Sequence, residues 1–263
     1  DTPVILITAD DGRSYSKPML STGYTKNTGA DDLAQQDAGG MGTQLDAKVW
    51  THTKVNEIDT EKQILHVGED ATMIHYGRLV LAVGSQGIEP PLAGGGLDYV
   101  YSVNDLMDYA DFRAAMAEND ARRVCIIGGG LIGCEFTNDL LNGGYEVEVV
   151  DPLGYCLPTL LPETAGKAVQ AALAEQGAVF HFGALATAVN KVEGGVEVTL
   201  DNGETIAADL VVSAVGVRPR TELARAAGLA TNRGVVVNRY LEASAPNVYA
   251  LGDCAEVEGH VLV

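Results

Sequence analysis

The chain has 263 residues, enough for one large domain or two of ordinary size. Its 36 acidic residues against 17 basic ones give a formal net charge of −19. That balance argues against nucleic acid, which needs a basic patch, and against an anionic membrane surface. No apolar run reaches the roughly 18 residues of a spanning helix. The opening residues read as a strand, not as a signal peptide. Cys125, Cys134, Cys156 and Cys254 form no C-x-x-C pair and read as reduced, partly buried thiols of a cytoplasmic protein. The histidines show no metal-ligand spacing, so no metal is expected.

Val4–Thr8 (VILIT) reads as a short buried strand, followed by a loop to about Ala30. Residues 31–38 read as a helix stopped by Gly39-Gly40, residues 48–58 as one strand, and 63–67 with 72–76 as a hairpin. LVLAV at 79–83 is an apolar strand ending at Gly84. The Pro/Gly-rich stretch 90–96 reads as a domain connection and 103–119 as a helix. A new unit starts near Arg122. It has a strand at 124–127, a helix at 131–142 stopped by Gly143-Gly144, a strand at 146–150, and a helix at 163–176 before Gly177. Residues 188–192 and 196–200 flank Gly194-Gly195 as a hairpin, and 210–215 is another buried strand. Strands alternating with helices imply a parallel sheet with ligands at its carboxyl ends. One weak repeat is visible: LVLAVG (79–84), VVSAVG (211–216) and YALGD (249–253) each end an apolar strand in a glycine turn.

Gly128-Gly129-Gly130-Leu131-Ile132-Gly133 fits G-x-G-x-x-G between a strand and a helix, with an acid, Asp151, about 20 residues on. Gly128 suits the tight turn, Gly130 the close approach of a pyrophosphate, and Gly133 close helix packing. The helix N-terminus offers free N–H groups to the phosphates. Asp151 is placed to accept ribose hydroxyls. The stretch 145–166 has no Lys, Arg or His to meet a 2′-phosphate, which favours NAD(H) over NADP(H).

SAPNVYALGD (244–253) resembles the FAD-binding signature of the pyridine-nucleotide–disulfide oxidoreductase superfamily, and LVLAVGS (79–85) its other FAD-contacting turn. The resemblance implies an α/β fold of two Rossmann-like, three-layer nucleotide-binding domains, the NAD domain inserted into the FAD domain. It gives a first FAD part at 1–102, an NAD part at 103–233 and a returning FAD segment at 234–263. The FAD domain's own glycine turn, roughly 25–30 residues, is then expected upstream, and a closing helix and interface domain downstream.

The same resemblance assigns residues. Asp253 and Gly252 would meet the flavin's ribityl chain. Ala82, Gly84, Gly216 and Val55 would contact cofactor through turn or strand backbone, and Asp10 would bind the FAD ribose. Disulfide reductases of the family carry a redox Cys in the loop after the first strand. Here that loop reads RSYSKPMLS (13–21), without Cys, which is similar to the reductases of one-electron carriers. Together, SYSKPMLSTGY, GGGLIGCEF and YALGDCAEV are most similar to the branch that reduces rubredoxin. That implies electron flow from NADH through FAD to rubredoxin; a ferredoxin reductase of an oxygenase system, an NADH oxidase and a nucleotide-binding sensor are the rival readings. Lys17 would stabilise the anionic reduced flavin, and Glu135 matches the family acid that pairs with such a lysine.

Overall fold

The computed structural model describes residues 2–261. Its contacts divide the chain into two compact units. The first comprises the described residues up to Ser14, then Gln35–Gln86, then those from Val217 onward; the second comprises Tyr15–Ala34 and Gly87–Gly216.

The second unit is a three-layer α/β domain. Five strands form one parallel sheet in the order Val100–Tyr101, Leu210–Ser213, Arg123–Ile127, Glu146–Asp151, Val179–Phe182. Alternation along the strands fixes the two faces. Val124, Ile126, Val147, Val149, Leu210 and Val212 pack with Phe112 of helix Leu106–Glu118 and with Phe136 and Leu140 of helix Leu131–Asn142. Cys125, Ile127, Val150 and Val211 point the other way, into the antiparallel meander Ala186–Val192, Gly195–Leu200, Thr205–Ala208. Gly194 and Gly195, both at positive φ, turn the first two of those strands.

The first unit is built from shorter pieces. Val4–Ile7 runs parallel to Ala47–Trp50, and Leu79–Leu81 parallel to Val248–Ala250. Val55–Asp59, Ile64–Val67 and Thr72–His75 form an antiparallel meander. Ile58, Leu65, Val67, Leu81, Val235, Val248 and Ala250 share one core cluster.

Four expectations are corrected. Val4–Ile7 is not a buried strand: Val4, Ile5 and Leu6 are exposed, because Ala47–Trp50 is the strand's one partner among the described residues. Gly39-Gly40 does not stop a helix. The helix there is Ala38–Leu45, started by Asp37, whose side chain accepts the Gly40 N–H at 2.7 Å, and ended by Asp46 in the left-handed region. The single strand expected over 48–58 is two strands, broken at His52 (φ 48°), whose N–H is taken by the Asp10 carbonyl at 2.8 Å. The contacts change unit at 14/15, 34/35, 86/87 and 216/217, where the sequence reading put boundaries only at 102/103 and 233/234. Val100–Tyr101 is an edge strand of the parallel sheet and Ala93 bridges to Ala188, which carries residues 87–102 into the second unit. In the other direction, Ala224 and Leu229 pack into the core of the first.

Phe136 is fully buried and stands edge-on to Phe112, ring centroids 6.2 Å apart. Phe136→Ala should cost the second unit about 3–5 kcal/mol through lost burial and the cavity left behind. Denaturant unfolding followed by far-UV circular dichroism checks this, as a lower midpoint at unchanged m-value.

Candidate functional site

The glycine turn is built as its spacing requires. Gly128 has φ +115°, and a Cβ there would strike the Ala214 carbonyl. A Cβ on Gly133 would strike the Gly128 carbonyl, so the helix that starts at Leu131 lies directly on the strand end. Around Gly130, the residue that caps this helix, a Cβ would meet nothing within 4 Å. Open space at the helix N-terminus, with its unpaired N–H groups, fits a pyrophosphate.

Asp151 closes the turn from the next strand. Its Oδ2 accepts the Gly129 N–H at 2.6 Å and its Oδ1 the Leu153 N–H at 2.7 Å, with the residue nearly buried. Sequence reasoning gave Asp151 a ribose-binding role alone; the structure adds that it braces the glycine turn. Leu157 N–H also bonds the Gly129 carbonyl at 2.8 Å. Beneath this loop Cys134 and Cys156 share a core cluster. The hydrogen bond from the Cys156 thiol draws the Cys134 thiol below its ordinary pKa. All four cysteines are free and buried.

Glu135 is half-buried on the same helix, and its Oε2 accepts from Ser21 Oγ at 2.7 Å. Ser21 ends the 3-10 turn Lys17–Ser21, so the turn that carries Lys17 is fastened to the dinucleotide helix through Glu135. Lys17 itself is exposed. Gly216 lies just beyond strand Leu210–Ser213, at φ +107°, and its carbonyl accepts the Ile88 N–H at 3.0 Å.

In the first unit the two flavin-type signatures meet. Strand Leu79–Leu81 pairs in parallel with Val248–Ala250, so the turns after both lie side by side. Ser85 Oγ donates to Asp253 Oδ2 at 2.8 Å across 168 positions of sequence. Ala82 and Gly84 lie on the first turn, Gly252 and Asp253 on the second; Gly84 has φ +66° and Gly252 φ +69°. Asp10 lies in the loop after Val4–Ile7, where its Oδ1 accepts from Thr8 Oγ1 at 2.6 Å and from the Gly12 N–H at 2.9 Å. Val55 opens a meander strand, opposite Val67. The sequence reading gives neither Ser85, the last residue of LVLAVGS, nor Arg220 an individual cofactor-site role. Arg220 Nη1 donates to the Val83 carbonyl at 3.1 Å and its N–H to the Gly84 carbonyl at 3.0 Å, a contact that no local pattern announces. Among the described residues no group of His, Cys, Asp and Glu could hold a metal ion.

Two Gly-turn units of this kind define a two-dinucleotide oxidoreductase, and the comparisons agree. The chain belongs to the pyridine nucleotide-disulphide oxidoreductase family, whose model matches residues 1–262. It is 50% identical to a rubredoxin-NAD(+) reductase of Alcanivorax borkumensis, over all of this chain and 68% of that protein. A protein of the same name from Acinetobacter baylyi is 40% identical over 98% of this chain and 67% of its own length. Among solved structures, a ferredoxin reductase of Rhodopseudomonas palustris superposes with a TM-score of 0.88 at 30% identity, covering 97% of this chain and 63% of that one. The chain therefore spans about two thirds of these proteins. The family resemblance read from the motifs is borne out, as is the α/β fold class, and FAD with NAD(H) is the cofactor pair of this family.

Asp151→Ala would remove the acceptor that braces the glycine turn and the acid proposed for the ribose. The NADH-over-NADPH preference in kcat/KM should fall by about tenfold or more, the worth of one charge-assisted hydrogen bond at about 1.5–3 kcal/mol. Steady-state kinetics with both nucleotides decides it; an unchanged ratio removes Asp151 from the site.

Proposed function

We propose that the protein is an NADH-dependent flavoprotein reductase that passes electrons to a rubredoxin in the cytoplasm. The observation that carries the reading is the 50% identity along the whole chain to a rubredoxin-NAD(+) reductase. The loop at 13–21, which contains Lys17 and no cysteine where disulfide reductases carry a redox one, supports it. That no described helix is long and apolar enough to cross a membrane is compatible with the cytoplasmic location.

In this reading the second unit takes NAD(H). Gly128, Gly130 and Gly133 shape the pyrophosphate cradle, Asp151 receives the adenosine ribose, and Gly216 offers backbone at the sheet's carboxyl end. The first unit takes FAD. Asp253, oriented by Ser85, holds the ribityl chain; Ala82, Gly84, Gly252 and Val55 line the cofactor through backbone, and Asp10 meets its ribose. Bound FAD would supply the chemistry the chain lacks, accepting a hydride and releasing electrons singly. The protein's task is to position and to tune. Lys17 places a positive charge that favours the anionic reduced flavin, and Glu135 offsets that charge and orients it through the turn it holds. No acid–base triad is needed, since the overall step moves electrons and not an acyl or phosphoryl group.

The second reading is a ferredoxin reductase, favoured by the 30% identity to the Rhodopseudomonas palustris enzyme. Turnover of the full-length protein with NADH against a panel of rubredoxins and ferredoxins separates the two. Rubredoxins should give the higher kcat/KM; fast ferredoxin reduction with negligible rubredoxin turnover sinks the first reading.

Lys17→Met should lower the flavin reduction potential and slow hydride transfer while FAD stays bound. Potentiometric titration and stopped-flow bleaching check it; a normal potential and rate leave Lys17 a surface residue.

A further inference from the structure

Helix Leu131–Asn142 presents positions 135, 139 and 142 along one face, the spacing of neighbours on a helix surface. Each bonds to one short segment. Ser21 Oγ donates to Glu135, the Tyr24 and Thr25 N–H groups donate to Asp139 Oδ2 and Oδ1 at 3.0 and 2.7 Å, and Asn142 Nδ2 donates to Thr25 Oγ1 at 3.0 Å. Asp139 is the centre of this row and has no exposed surface. A carboxylate is costly to bury, so its place demands the two N–H donors it has. Helix Leu106–Glu118 holds the same segment from its other end. Arg113 Nη1 donates to the Thr28 carbonyl at 3.1 Å and to the Tyr109 hydroxyl at 2.9 Å, and its guanidinium lies 4.1 Å from the Tyr24 ring centroid.

The segment so fastened begins where the Lys17 turn ends. Lys17–Ser21 is one 3-10 stretch with Pro18 in its first turn, closed by the Thr22 N–H on the Met19 carbonyl at 3.1 Å, and Leu20 is buried beside Leu33, Leu106 and Tyr109. A stretch this short and this braced moves as one piece with its anchor. We propose that Asp139 is a positioning residue: it sets where Lys17 stands by clamping residues 24 and 25 to the helix that starts at the glycine turn. This rests on the flavin-tuning role proposed for Lys17. Fully buried, Asp139 can touch no ligand, so any effect it has on the flavin passes through the segment it holds. Because the same helix receives the pyrophosphate at its other end, the lysine's position and the nucleotide site share one rigid support.

The test uses the full-length flavin-loaded protein with four variants: Asp139→Ala, Asp139→Asn, Lys17→Met, and Lys17→Met with Asp139→Ala. The flavin reduction potential, the limiting rate of flavin reduction by NADH and the NADH Kd are read for each. Asp139→Ala should slow the limiting rate about tenfold, about 1.4 kcal/mol of barrier, and shift the potential in the direction that Lys17→Met does, with NADH Kd unchanged. Asp139→Asn keeps one carbonyl acceptor and should fall between it and the parent; it also carries the comparison if the alanine variant fails to fold. Added to Lys17→Met, Asp139→Ala should change rate and potential no further. Asp139 variants that lose only thermal stability, at normal rate and potential, overturn the inference while Lys17→Met keeps its effect. Additive effects in the double variant overturn it equally. A Lys17→Met protein with unchanged potential overturns the Lys17 reading itself, and this inference with it.

Discussion

The dinucleotide helix can lie where it does only because residue 133 has no Cβ. The Gly128 carbonyl occupies the space a side chain would take, and the Ala214 methyl stands 3.6 Å from the same point. That contact brings the start of the helix onto the ends of two neighbouring strands, Arg123–Ile127 and Leu210–Ser213, which pair with each other. Everything the second unit offers a ligand follows from this approach. The helix N-terminus faces open space, Asp151 reaches the Gly129 N–H, and the helix face carrying Glu135, Asp139 and Asn142 meets the segment after Lys17. A larger residue at 133 would lift the helix and disturb all three at once.

The first unit solves a similar problem with different parts. Its two glycine turns are set side by side by a parallel strand pair and joined by the Ser85–Asp253 hydrogen bond. The repeat seen between LVLAVG and YALGD thus has a physical meaning: the two sequences are neighbouring strands that end together. VVSAVG, the third copy, ends a central strand of the other unit. Likeness in sequence reflects a shared demand, an apolar strand that must stop in a turn at the sheet's carboxyl end, and not adjacency in space.

Where the sequence was legible, period and local chemistry agreed. The glycine turn, its helix and the strand ending at Asp151 could be read because each is decided within a few residues. The misreadings have one local cause and two distant ones. Gly39-Gly40 looked like a stop, yet the cap of Asp37 outweighs the poor propensity of glycine and starts a helix there. His52 breaks an apparent strand because a distant carbonyl, that of Asp10, claims its N–H. Residues 15–34 pack with the second unit although they lie far from it in sequence, through bonds spanning more than a hundred positions, such as Tyr24 to Asp139. Asp139 sits one helical turn past Glu135, and only that spacing could have marked it; its partners were not visible at all.

The charge of −19 is an average over sites with different work. Asp37, Asp105, Asp139, Asp151 and Glu256 all accept backbone N–H groups at turns and helix starts. Glu256 is held below the usual carboxylate range chiefly by the Gly234 N–H. These charges are opposed locally by aligned dipoles, so they contribute less to the outer field than their number suggests. The arginines are placed differently. Arg220 is tied to the Val83 and Gly84 carbonyls, and with the Gln86 amide turned to offer its oxygen, Arg218 donates to it at 2.9 and 3.0 Å. Both are exposed, and they flank the first glycine turn of the flavin-type pair. At physiological salt the mean is screened beyond about 8 Å, whereas charges in contact are not. Local placement of arginine, and not net charge alone, therefore sets the field at that turn.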